Sequence, residues 1–142
     1  MITIALFTKM AAEQVAGLTA DKDFFNEELP LQKDGKYAEG TWLVTRGGSN
    51  TNTPRGINQK TTIDVYVAYS NRAKAESIQK TILDWIRANS SICTLSGTVG
   101  GISYSFANIR IRPTTTPQNM GATTNGLLIK MASMDVTYDI NQ

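Results

Sequence analysis

Thr61-Thr62-Ile63-Asp64-Val65-Tyr66-Val67-Ala68-Tyr69-Ser70 is the stretch that decides the fold. Ile63, Val65, Val67 and Tyr69 alternate with Asp64, Tyr66, Ala68 and Ser70, and a period of two residues puts each set on its own face of a β-strand. The odd-numbered set is expected in the core, with Asp64 on the solvated phase. Ser70 or Asn71 then offers a side-chain oxygen to the first turn of a helix. Along that helix Ala75, Ile78, Ile82, Trp85 and Ile86 share one face, while Lys74, Lys80, Asp84 and Arg87 lie elsewhere. Glu76 and Lys80 have the spacing of a helical ion pair. Such a helix should lie across a sheet, with Ile82 and Trp85 at the centre of the contact.

Working outward, Ile4, Phe7, Ala11, Val15 and Leu18 fall near helical spacing, which predicts an amphipathic helix over about residues 2–17 with Gly17 as its stop. Asp21 to Leu31 shows no clean period and reads as a loop anchored by Phe24, Phe25 and Leu29. Tyr37 to Arg46 is rich in β-formers and reads as a strand closed by Gly47-Gly48. A long polar loop follows, Ser49 to Lys60, with almost nothing apolar in it. Past the central helix, Ile92 to Leu95 and Ile102, Tyr104 and Phe106 read as two strands joined across Gly97 to Gly101. Ile109 and Ile111 then change phase, which a bulge near Ala107-Asn108 reconciles. A second polar loop, Pro113 to Gly126, leads to a last strand over Leu127 to Ile140. The order α, β, loop, β, α, β, β, loop, β describes an α+β fold, two helices packed on a mostly antiparallel sheet, in one domain over residues 1–142.

The 142-residue length suits one core. Fourteen Lys plus Arg against twelve Asp plus Glu leave a net charge of +2, so charge alone names no nucleic-acid partner. No apolar run reaches the roughly 20 residues that span a bilayer. Met1 to Phe7 is apolar, but it is short and no cation precedes it, so a soluble, unprocessed chain is expected. Cys93, the one thiol, can form no intrachain disulfide, which fits a cytoplasmic folding environment, and its ordinary role is that of a small buried hydrophobe.

The chain has no His, which removes Ser-His and Cys-His nucleophile pairs and His-based metal sites. Asp64, Asp135 with Asp139, and Glu27-Glu28 are the notable carboxylates, and nothing in their spacing demands a paired-carboxylate hydrolase. Arg46-Gly47-Gly48-Ser49 is Gly-rich after a strand, but it lacks the phosphate-loop Lys and no helix follows. No catalytic, cofactor or metal residue is assigned. Arg46, Arg55 and Lys60 bracket the first polar loop and Arg110 and Arg112 lead into the second, so these five cations are the candidate interface residues. A guanidinium pairs with carboxylates or carbonyls through a planar fork.

Gly40-Thr41-Trp42-Leu43-Val44-Thr45-Arg46-Gly47-Gly48, then Thr61 to Val67, then Ala75, Ile78-Gln79 and Ile82-Leu83-Asp84-Trp85-Ile86, resemble the tail terminator and minor capsid (head-tail joining) proteins of long-tailed bacteriophages. The similarity is sharpest over residues 37–90 and is one of strand and helix pattern. It implies a structural virion subunit, not an enzyme, that forms a homohexameric ring on the last ring of the tail tube. That ring would stop tube polymerisation and present its other face to the head-neck connector. The partners so implied are further copies of the chain, the tail tube protein and the connector, with DNA passing through the ring lumen without base readout. The resemblance further implies no membrane partner and a location in the virion tail or neck, reached from the host cytoplasm during assembly. Another neck component, a head-closure or tail-completion protein, is the alternative reading.

Overall fold

The computed structural model describes residues 2–26, 32–33, 36–37, 39–49, 57–114, 118–123 and 126–141. Among these the chain forms α1 (Ile2–Ala12), a 3-10 turn (Val15–Gly17), β1 (Phe24–Asn26), β2 (Gln32–Lys33), β3 (Lys36–Tyr37), β4 (Gly40–Ser49) and β5 (Gln59–Tyr69). It continues with α2 (Arg72–Ala88), β6 (Ser91–Val99), β7 (Ile102–Pro113), β8 (Gln118–Ala122) and β9 (Leu128–Ile140). The main sheet runs β1-β4-β5-β9-β7-β6, with β8 also paired to β9, and β2 pairs with β3 alone. Among the described strands only the β1–β4 ladder is parallel, extended outward by a parallel bridge from Ala20 to Phe24. The expected α+β arrangement is present.

Alternation along β5 is realised as expected on its odd-numbered side. Ile63, Val65, Val67 and Tyr69 are buried in one cluster with α2 residues Ala75, Ile78, Ile82 and Ile86 and α1 residues Ile2, Ala5, Leu6 and Met10. Asn71 caps α2, its side-chain oxygen accepting the Lys74 N–H at 3.1 Å. Trp85 differs from expectation. It is half-buried at the margin of the core, and its indole N–H reaches Glu13 Oε1 at 3.4 Å. The Glu76–Lys80 pairing also differs, because Glu76 is engaged by Arg72 at 3.1 Å and Lys80 by Asp84 at 3.0 Å.

The N-terminal helix ends earlier than its pattern suggested. Gln14 and Ala16 adopt left-handed backbone angles, so the chain leaves α1 after Ala12 and tightens into the 3-10 turn. Residues read as a loop from Asp21 supply β1, where buried Phe24 packs against Phe7 with ring centroids 4.6 Å apart. Residues 27–31 lie outside the described residues, as do Glu27 and Glu28. Gly47 and Gly48 do not close β4, because the strand runs on to Ser49 after a bulge between Thr45 and Gly47. Gly40 is fixed for a packing reason: a Cβ there would stand 2.9 Å from the Phe25 ring.

The expected bulge lies at Asn108, whose φ of 51° is left-handed, where the β7–β9 register shifts between Ala107 and Arg110. The segment from Pro113 to Gly126 contains a strand that the polar composition hid. Pro113 faces Met134 and Gln118 faces Met131, so β8 continues the line of β7 along β9. No helix among the described residues is long and apolar enough to cross a membrane.

Candidate interaction surface

Both helices pack on one face of the sheet, and the candidate cations lie on the other. Register places them. Lys60 on β5 faces Thr137 on β9, which faces Arg110 on β7; Thr62 faces Asp135, which faces Arg112. Side chains of directly opposed residues project from the same face. Arg46, released by the β4 bulge, reaches across to Asp64 at 3.4 Å. Four of the five expected cations, Arg46, Lys60, Arg110 and Arg112, therefore meet on a row across β4, β5, β9 and β7. Arg55 lies outside the described residues, as does most of the first polar loop.

Asp64 does not sit on a solvated phase. It is only 4% exposed. Ser133 Oγ donates to Asp64 Oδ1 at 2.6 Å and the Arg46 guanidinium supplies the opposite charge. A buried carboxylate needs such partners, since an unpaired one would lose its hydration without replacement. Next to it Tyr66 is half-buried, and burial first, the Asp64 carboxylate second, push its hydroxyl above the ordinary phenol value. One step along, Asp135 accepts the Thr62 hydroxyl at 2.8 Å and Lys60 stands 3.3 Å away. Arg46 and Lys60 are thus neutralised in place.

Arg110 and Arg112 are different. Arg110 donates to Ser91 Oγ, and among the described residues no carboxylate lies within ion-pair distance of either guanidinium. Both are exposed. Two planar forks two residues apart on one strand offer spare donors to carboxylates, carbonyls or other anions. Beyond them Asp139 accepts the Asn108 amide and the Asn58 N–H, each at 2.8 Å. These bonds, the Asn108 amide foremost, hold its carboxyl below the usual Asp value.

The same face carries a small apolar cluster at its other end. Trp42, only 2% exposed, stacks on Phe25 with centroids 5.3 Å apart, and Ala68 and Leu127 complete the patch. Cys93 departs from expectation, because it is exposed on β6, the edge strand, rather than buried. Among the described residues no three of Cys, Asp and Glu gather where a metal ion would fit. Sequence reasoning missed Asp64, Ser133 and Asp135 as counter-groups. The available signal was the register of their strands, which a single strand's alternation does not supply. No protein-family model matches the chain, and no curated protein is significantly similar to it. Function is therefore argued from the surface itself.

Proposed function

We propose that this chain is a structural virion subunit of the tail terminator kind. In this reading six copies form a ring that sits on the last ring of a tail tube, halts its polymerisation and offers the opposite surface to the head-neck connector. The pattern of Gly40 to Gly48, Thr61 to Val67 and Ala75 to Ile86 motivates the reading, and the α+β sheet with both helices on one face is compatible with it. The observation that carries it furthest is the row of cations on the open face, two of which have no carboxylate partner within the described residues. Arg is enriched at contacts between chains, where a guanidinium can meet a partner's carboxylates.

The test uses purified protein with self-assembling tail tubes. Light scattering and electron microscopy should show hexameric rings, alone or on tube ends. Arg110→Ala with Arg112→Ala should leave thermal unfolding nearly unchanged while tubes grow beyond their normal length. A chain that stays monomeric when concentrated and neither binds nor limits tubes overturns the proposal.

A further inference from the structure

Among the described residues the outer side of β4 past Leu43 is unpaired but carries Arg46, and two uncharged stretches of sheet edge are also bare and unlike each other. The first is β6, nine residues that among the described strands pair only with β7. Ser91-Ile92-Cys93-Thr94-Leu95-Ser96-Gly97-Thr98-Val99 holds no charge and no Pro. Monomeric proteins blunt such edges with Lys, Pro or a covering element, because a row of unpaired N–H and C=O groups templates another strand. Here the flanking turn, Gly100-Gly101, adds no charge, and Ile102 beyond it is 61% exposed.

The second edge is the outer side of β8, whose five residues are all exposed and whose only ladder among the described residues is with β9. Gln118-Asn119-Met120-Gly121-Ala122 is also uncharged. Because β8 continues the line of β7 while β6 covers β7 only up to Arg110, no strand among the described residues occupies the lane beside β8. A cleft of about 300 Å³ lies over the β8–β9 ladder beside the start of α2, lined by Ala122, Leu128 and Ile129 and by the polar Arg72, Asn119 and Lys130. The exposed side chains of β6, Ser91, Cys93, Thr94, Ser96 and Thr98, are all small, so they leave its backbone edge open to a partner strand.

We infer that β6 of one copy adds as a strand to the outer edge of β8 in a second copy. The backbone groups of each edge dictate an extended partner, and the neutrality of both edges makes them mutually compatible while a charged strand would be desolvated on either. Two different edges on one chain make a head-to-tail contact, the kind that generates rings when its rotation closes. The inference takes from the tail-terminator reading only the expectation that copies associate, and the strand contact is tested apart from it.

Cys93, exposed and the one thiol, is the probe. Gln118→Cys, Met120→Cys and Ala122→Cys each place a second thiol on β8, at exposed positions where folding should persist. Treated with a short bismaleimide, at least one of these variants should give covalent chains of two, three and more subunits, while the unsubstituted protein stays at one. Unsubstituted protein that cross-links efficiently to dimers and stops there would mean β6 against β6 and would overturn the inference. Absence of bridged multimers in all three variants, in protein that light scattering shows to be oligomeric, would overturn it too and leave the ring reading standing. Absence of bridging in protein that is monomeric both free and with tubes would overturn both.

Discussion

The two faces of one sheet bury their residues by different means. On β5, Ile63, Val65 and Val67 point toward the helices and are sealed among apolar side chains. Their neighbour Asp64 points the opposite way, is nearly as inaccessible, and depends on Ser133 and Arg46. The helix-covered face is held by non-directional burial, in which a change costs according to the volume left empty. The open face is held by particular partners, in which a change costs according to what is left unsatisfied. The first kind of face specifies the fold, and the second leaves charge available for contacts.

Ile82 and Trp85 set the scale on the helix side. Ile82→Ala should cost about 2–5 kcal/mol by chemical denaturation, as a large-to-small change in a closed core. Trp85→Ala should cost less, about 1–2 kcal/mol, because the indole is half-buried and part of its surface is already in water. Equal losses at the two positions would show that the helix margin is packed as tightly as its centre.

On the open face, Asp64→Ala should cost about 1–3 kcal/mol, the range for leaving a desolvated polar partner unmet. A loss no larger than about 0.5 kcal/mol would make this face equivalent to ordinary surface and would remove the contrast.

The smallest effect belongs to Asp139. Its folded-state pKa lies below the ordinary value of 3.8, so its contribution is present above that value and is lost as pH falls through the lower folded value. Stability curves for the protein and for Asp139→Asn should therefore differ at neutral pH and converge in strong acid. Parallel curves at every pH would show that the Asn58 and Asn108 contacts do not distinguish the charged carboxylate.

What was legible in the sequence follows the same division. The period of two in residues 63–69 and the apolar face of residues 75–86 predict the elements that meet on the helix-covered side, because hydrophobic burial leaves a periodic trace. The bulge at Asn108 was readable for the same reason, as a slip between Phe106 and Ile109. β8 left no such trace, since all five of its residues are exposed and it owes its form to the ladder with β9. Gly47 and Gly48 looked like a terminator, yet in a strand paired to Thr62 and Thr61 the backbone bonds outweigh the weak propensity of glycine. Cys93 was misplaced because its burial depends on β6 being an edge strand, a property of topology rather than of local pattern. Of the candidate surface, the cations were visible, whereas the carboxylates that neutralise two of them required the cross-strand register.

β9 lies between β5 and β7, so the strand made last among those described occupies the middle of the sheet. During synthesis β5 with its helix, and the β6–β7 hairpin, can each form early, but neither can join the other until residues 128–140 have left the ribosome. Until then each half exposes the backbone edge that β9 pairs with, along Gln59–Tyr69 on one side and Phe106–Pro113 on the other. Nascent chains of this kind are the ones that chaperones hold, and sheet closure by such distant pairing is a slow step.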